Sequence, residues 1–332
     1  MVPNTSGSDD SLRRAALLLH REAGRLAAAG ATSDTVFTGH LADVPPVLRS
    51  ALEKVIPLPD RTEGWCVLRG LLSGFGEPGP TPEHWKSAKG QATEALDIAL
   101  VLIGEVIGGV FGWTGQQDGR LVHNILPSRG QEQLQVGASS TTALAWHTED
   151  AFHPRRAELV MLTCVRNDDR IGSEVASIRR AGLDERELAL LSRPHLRIMP
   201  DDSYPACSDA DGTEQPGMAT VWFAEDGPCL RYDPSYTGFL VDDPTLVRAH
   251  AGLGDRLTGC REVIDLEPGD ILLIDNDVAV HGRSAFRPRY DGTDRWLKRI
   301  LIRLPRPRPA GQEAEDGFAQ TLVGARPGPE VR

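Results

Sequence analysis

Ala145-Trp146-His147-Thr148-Glu149-Asp150 is the stretch that decides how this chain is read, together with a distant partner, Val280-His281-Gly282-Arg283-Ser284. Successive side chains of a strand point to opposite faces, so His147 and Glu149 share one face while Trp146 and Thr148 share the other. An imidazole and a carboxylate are thereby set side by side.

Two histidines and one carboxylate on one face of an octahedral ion, with the other positions open, form the ligand set of non-haem Fe(II) oxygenases. On spacing alone, two satisfied core histidines and a surface glutamate would read the same. A second run adds weight: Arg295-Trp296-Leu297-Lys298-Arg299-Ile300-Leu301-Ile302-Arg303-Leu304, soon after the Asp291-Gly292 turn signal. Period two puts Arg295, Leu297 and Arg299 on one face, so two guanidinium groups enter one interior. Buried guanidinium groups need anionic partners, and their planar fork suits a carboxylate. An edge strand with its arginines in solvent is the alternative, since Arg303 continues the row.

The rest of the composition narrows the class. A chain of 332 residues with 40% hydrophobic and 25% charged residues can bury a substantial core. Its net charge of −11 argues against nucleic acid as a main partner, because a phosphate-binding surface needs a basic excess. No apolar run reaches the ~18 residues of a membrane span, and the N-terminus lacks a basic region followed by an apolar run and cleavage site, so a cytoplasmic location is expected. Cys66, Cys164, Cys207, Cys229 and Cys260 are scattered and never spaced Cys-X-X-Cys, the pattern of reduced thiols rather than disulfides or a zinc cluster.

In chain order, apolar periodicity predicts helices over 11–29, 44–55 and 93–110, with a short strand within 64–71. Residues 1–110 therefore read as a largely helical packing region. Phe111 to Gly119 is polar and glycine-broken; it reads as a surface loop, or as a loop turning Gln116 and Gln117 towards a pocket. From Leu121 short apolar runs alternate with turns, at 121–126, 143–147, 159–165, 219–222, 229–232, 261–264, 270–274 and 295–304, the cadence of an antiparallel barrel or sandwich. Helices over 184–191 and 244–257 interrupt it. The expected fold class is mainly β with flanking helices, its β core spanning 111–304. Residues 200–217, rich in Asp, Pro and Gly, form an exposed loop and a candidate lid, and 305–332 an extended tail.

His147-Thr148-Glu149-Asp150-Ala151-Phe152-His153-Pro154, the far Val280-His281-Gly282-Arg283, and Arg295 fourteen residues after His281 resemble the clavaminate-synthase-like branch of Fe(II)/2-oxoglutarate-dependent oxygenases. Within it the chain is most similar to the arginine hydroxylases of peptide-antibiotic biosynthesis, the viomycin enzyme type. The resemblance runs from about 111 to 304 and implies a single oxygenase domain over 1–332 with a double-stranded β-helix, or jelly-roll, barrel. His147, Glu149 and His281 would hold Fe(II), 2-oxoglutarate would chelate the metal with its 5-carboxylate on Arg295, and O2 would complete the set. By the same resemblance Arg299 grips the substrate α-carboxylate, Gln116 and the free oxygen of Glu149 take its α-amino group, and Ser139 or Ser140 assists.

Relatives that hydroxylate arginine carry two acids, spaced two apart, that clamp the guanidinium. Here Asp233 keeps the first and Ser235 replaces the second, unless Asp233 is simply a turn residue before Pro234. Burying a cation with one fewer anion is unfavourable, so the neutral analogue citrulline stands beside arginine as substrate. The expected activity is hydroxylation at C3 or C4 of a free L-amino acid in specialised metabolism. Lysine or ornithine hydroxylation, and desaturation or ring closure, are the alternatives within the family; a zinc hydrolase or a non-catalytic acid-binding barrel are those outside it.

Overall fold

A computed structural model describes residues 9–88, 90–204, 217–309, 318 and 320–326. In chain order it contains α1 (Asp9–Ala28), α2 (Pro46–Glu53), β1 (Trp65–Leu68), α3 (Gln91–Ile107), β2 (Gly109–Trp113), β3 (His123–Ile125), β4 (Leu144–His147), β5 (Leu159–Arg166), β6 (Ser173–Ser177), α4 (Glu185–Leu191), β7 (Leu196–Ile198), β8 (Val221–Ala224), β9 (Gly227–Leu230), β10 (Thr237–Phe239), α5 (Pro244–Gly259), β11 (Glu262–Ile264), β12 (Ile271–Asp275), β13 (Ala279–Arg283), β14 (Trp296–Arg303) and β15 (Leu322–Gly324). Most of the candidate lid, residues 205–216, lies outside the described residues.

The large antiparallel sheet has the order β1-β12-β5-β14-β2-β15, with β3 also bonded to β14. Alternation along its strands decides which face meets what. Leu159 and Met161 of β5, Ile271 and Leu273 of β12, and Ile300 and Ile302 of β14 pack with Leu19 and Leu26 of α1 and Ile98 and Leu102 of α3. Their neighbours Val160, Leu162, Leu272, Ile274, Leu297 and Leu301 face the other way and pack with Val175 and Ala279 of the second sheet. That sheet, β11-β6-β13-β4, carries helices on its outer side, where Ala176, Val278 and Val280 meet Leu191 of α4 and Leu253 and Leu257 of α5. The site residues lie between the two sheets.

Caps and prolines set the helix ends. Asp184 and Glu187 form a reciprocal capping box that starts α4. Pro244 occupies the first turn of α5, and the Asp243 carboxylate accepts from the Thr245 and Leu246 N–H groups.

The apolar runs do not predict the strands β6, β7, β10 and β13, and two further segments differ from expectation. Phe111-Gly112-Trp113, read as part of a glycine-broken loop, belongs to β2, with Phe111 and Trp113 buried. A Cβ on Gly112 would lie 2.6 Å from the Arg120 carbonyl oxygen, so the glycine marks close backbone approach and not a turn. The tail supplies β15, an edge strand on β2, and Arg306 and Arg308 pair with Asp275 and Asp277, with Arg308 also on Glu158.

Candidate active site

His147 ends β4 and lies directly across from His281 in β13. Gly282 permits that approach, since a Cβ there would fall 2.7 Å from the Leu144 carbonyl oxygen. The two imidazoles stand with ring centroids 4.2 Å apart. Glu149 follows two residues on, and its Oε2 is 3.5 Å from His281 Nε2. One ligand atom from each of His147, Glu149 and His281 lies within 4.8 Å of the others, close enough to share an ion.

The protonation states suit a metal. His147 Nδ1 is 2.9 Å from the Ala145 carbonyl, which can only accept, so the proton sits on Nδ1 and Nε2 keeps its lone pair. Burial and then the neighbouring His281 push the His147 pKa down. Burial alone would raise the Glu149 carboxyl, but Arg299 and His281 hold it well below the usual carboxylate range. The free Nε2 lone pair of His147 and the ionised Glu149 carboxylate, with the His281 imidazole as third donor, fit Fe(II) with open positions.

Arg295 and Arg299 point into the same interior, as the period-two reading requires. The Arg299 guanidinium donates to Glu149 Oε1 and to Gln116 Oε1 at 2.8 Å, and lies 2.7 Å from His123 Nδ1. Burial and then Arg299 itself push His123 down to about 3, so this imidazole is neutral and accepts. Arg295 is as buried, yet its side-chain hydrogen bond is to Ser173 Oγ at 2.8 Å and its Nε is unpartnered. No carboxylate pairs with it among the described residues. Burial pushes it down to about 10.

A cavity joins these groups, with Leu162 and Leu297 as apolar walls and Asp201 at one side. The other expected contacts, Gln116, Ser139, Asp233 and Ser235, are not among the residues that line it. Gln116 is buried, and its Nε2 reaches Ser203 Oγ at 3.2 Å. Ser139 is buried, and its Oγ accepts from Arg283 at 2.9 Å; it braces an arginine of the cavity wall, and Ser140 beside it is fully buried. Asp233 is half-buried, pushed up to about 6 by burial, and acts electrostatically on His147. Ser235 is exposed, and its backbone N–H donates to Asp233 at 3.1 Å.

Asp150, next to Glu149, accepts from Trp113 Nε1 at 2.8 Å and from the Tyr204 hydroxyl at 2.5 Å. Burial, with Glu149 adding to it, pushes its carboxyl up to about 7. Sequence reasoning missed His123, Ser173 and Asp201, and nothing in their local spacing marks them.

Fold, ligand triad and paired interior arginines together define an Fe(II)/2-oxoglutarate-dependent oxygenase. Residues 91–301 match the model of the taurine catabolism dioxygenase TauD, TfdA family, and the chain belongs to that family. It is 34% identical over 259 residues to the L-ornithine/L-arginine 3-hydroxylase of Catenulispora acidiphila, covering 71% of this chain and 76% of that one. It is 36% identical over 261 residues to the enduracididine beta-hydroxylase of Streptomyces hygroscopicus, covering 72% and 76%. The crystal structure of the non-heme iron oxygenase OrfP with Fe and alpha-ketoglutaric acid superposes with a TM-score of 0.73 at 32% identity, over 91% of this chain and 94% of that one; OrfP has also been solved with Fe, succinate and (3S)-hydroxy-L-Arg. The protein is thus an amino-acid oxygenase that uses Fe(II), 2-oxoglutarate and O2. No helix among the described residues is long and apolar enough to cross a membrane.

Proposed function

We propose that the two sheets form a double-stranded β-helix around the site and that the enzyme hydroxylates C3 or C4 of a free L-amino acid with an arginine-like side chain, arginine or citrulline. When bound, Fe(II) with 2-oxoglutarate and O2 supplies oxidation of an unactivated C–H bond, releasing succinate and carbon dioxide. The chain's own residues bind and aim. His147, Glu149 and His281 hold the metal; Arg295, with Ser173, receives the distal carboxylate of 2-oxoglutarate; Leu162 and Leu297 keep water from the reacting bond. Arg299 exchanges part of its bonding to Glu149 and Gln116 for the substrate α-carboxylate, which frees both acceptors for the α-amino group. Asp233 then meets the far end of the side chain.

The observation that carries this reading is the buried Arg295, a guanidinium beside a metal-ligand triad with no carboxylate of its own among the described residues. It also stands against a hydrolase, which would have no use for an anion there. The preference for an arginine-shaped substrate rests on the Asp233 carboxyl near His147 and on the ornithine/arginine and enduracididine hydroxylases among the relatives. Ornithine is the second reading, because a single Asp233 suits an ammonium group.

Anaerobic reconstitution with Fe(II) and 2-oxoglutarate, followed by oxygen and a panel of free L-amino acids, tests the proposal. Succinate matched by a gain of one oxygen atom in arginine or citrulline is the expected result. A loss of two hydrogens would replace hydroxylation with desaturation, and no product from any free amino acid would refute the substrate class.

A further inference from the structure

The three ligands are not held alike. His147 and His281 are fixed against one another by strand register, but β4 ends at His147, so Glu149 sits beyond the ladder and its backbone polar groups need other partners. Both find them in one side chain. The Glu149 N–H donates to Asn276 Oδ1 at 2.7 Å, and Asn276 Nδ2 donates to the Glu149 carbonyl at 3.0 Å and to the Ala157 carbonyl at 3.0 Å. Asn276 is fully buried and lies in the turn between β12 and β13, five residues before His281. The other end of the link is braced as well. The Asn276 N–H donates to the Glu158 carbonyl at 2.9 Å, and Arg308 donates to the Arg156 and Ala157 carbonyls at 2.8 and 3.0 Å.

We infer that Asn276 is a positioning residue that sets the distance between Glu149 and the two histidines, and so builds the carboxylate corner of the metal site. The chemistry at position 276 is narrow. Only an amide offers an acceptor for an N–H and two donors for carbonyls in a side chain of this length. Its neighbours Asp275 and Asp277 have no donors and are committed to arginines of the tail. This inference rests on the triad reading but not on the identity of the substrate.

The test is anaerobic titration of the full chain with Co(II), whose visible absorption reports the ligand field. Asn276→Ala is expected to bind Co(II) about 10- to 100-fold more weakly, with a shifted spectrum. Asn276→Asp, which keeps the volume and one acceptor but loses both donors, is expected to be weakened too. A remote core variant, Leu26→Ala, controls for lost stability, since a merely structural residue would lower affinity no more than it does and leave the spectrum alone. Wild-type Co(II) affinity and spectrum in Asn276→Ala or Asn276→Asp overturn the inference. His147→Ala separates the two levels: retained Co(II) binding there sinks the triad itself, whereas lost binding there with unaltered Asn276 variants sinks only the role of Asn276.

Discussion

Replacing Arg295 by Met should move two measurable quantities in opposite directions. The side chain is 8% exposed, and burial pushes its pKa down to about 10, a cost of about 3 kcal/mol for staying charged with no anionic partner among the described residues. Methionine of similar reach removes that cost, so the ligand-free variant should be more stable than wild type by about 1–3 kcal/mol, the range seen when buried charges give way to apolar side chains. Binding of 2-oxoglutarate then loses a buried, charge-assisted pair. Truncating one partner of such a pair costs about 3–5 kcal/mol, or roughly two to three and a half decades in affinity. The assay is urea unfolding of the apoprotein alongside 2-oxoglutarate titration followed by succinate release. A variant that is more stable and binds 2-oxoglutarate at least 100-fold more weakly fits the argument; wild-type affinity for 2-oxoglutarate would refute it.

Other outcomes follow from the same geometry. His147→Ala and His281→Ala should each abolish succinate formation and the rise in melting temperature on adding Fe(II), and full activity in either would end the triad assignment. Ser235→Asp should shift preference from citrulline towards arginine by about twofold to fivefold in kcat/KM, the worth of one exposed charge pair; an unchanged ratio means that position 235 does not meet the side chain. Burial pushes His250 down to about 4, so its contribution to stability is complete above the unfolded value of about 6.5 and is lost as pH falls towards 4, with about 2 kcal/mol gone by pH 5. His250→Phe should flatten that part of the acid limb, and an unaltered pH slope in urea melts would rule it out. Lys298 pairs with Asp97 at 2.6 Å in the core behind the large sheet; Lys298→Met alone should cost about 3–5 kcal/mol, and pairing it with Asp97→Leu should recover most of that.

How much of this could be read from the residues depended on how local the signal was. The central strand β14 alternates without interruption, so the shared face of Arg295, Leu297 and Arg299 is legible in the sequence alone. His147 and Glu149 do meet at the site, but Glu149 lies beyond the end of β4, where strand alternation no longer applies, and the register pair of His147 with His281 supplied what spacing could not. Helix ends were legible where Asp184 or Pro244 imposed them. The strand β2 was hidden because Gly109 and Gly112 break its pattern, and a glycine needed for close approach is indistinguishable in sequence from one needed for a turn. Ser173, His123 and Asn276 were invisible for a different reason. Each serves a residue distant in sequence, and a lone polar side chain carries no period that betrays what it will face.

The placement of β14 bears on how the chain reaches its native state. It is bonded on one side to β5 and on the other to β2 and β3, all from the first half of the sequence, yet it is among the last strands to be made. The large sheet therefore cannot close while earlier segments emerge, and β5 waits with both edges open until β12 and then β14 arrive. Non-local closure of this kind makes for slow folding and a vulnerable interval. During synthesis, the first half of this enzyme carries strand edges that stay unpaired until its middle strand is delivered.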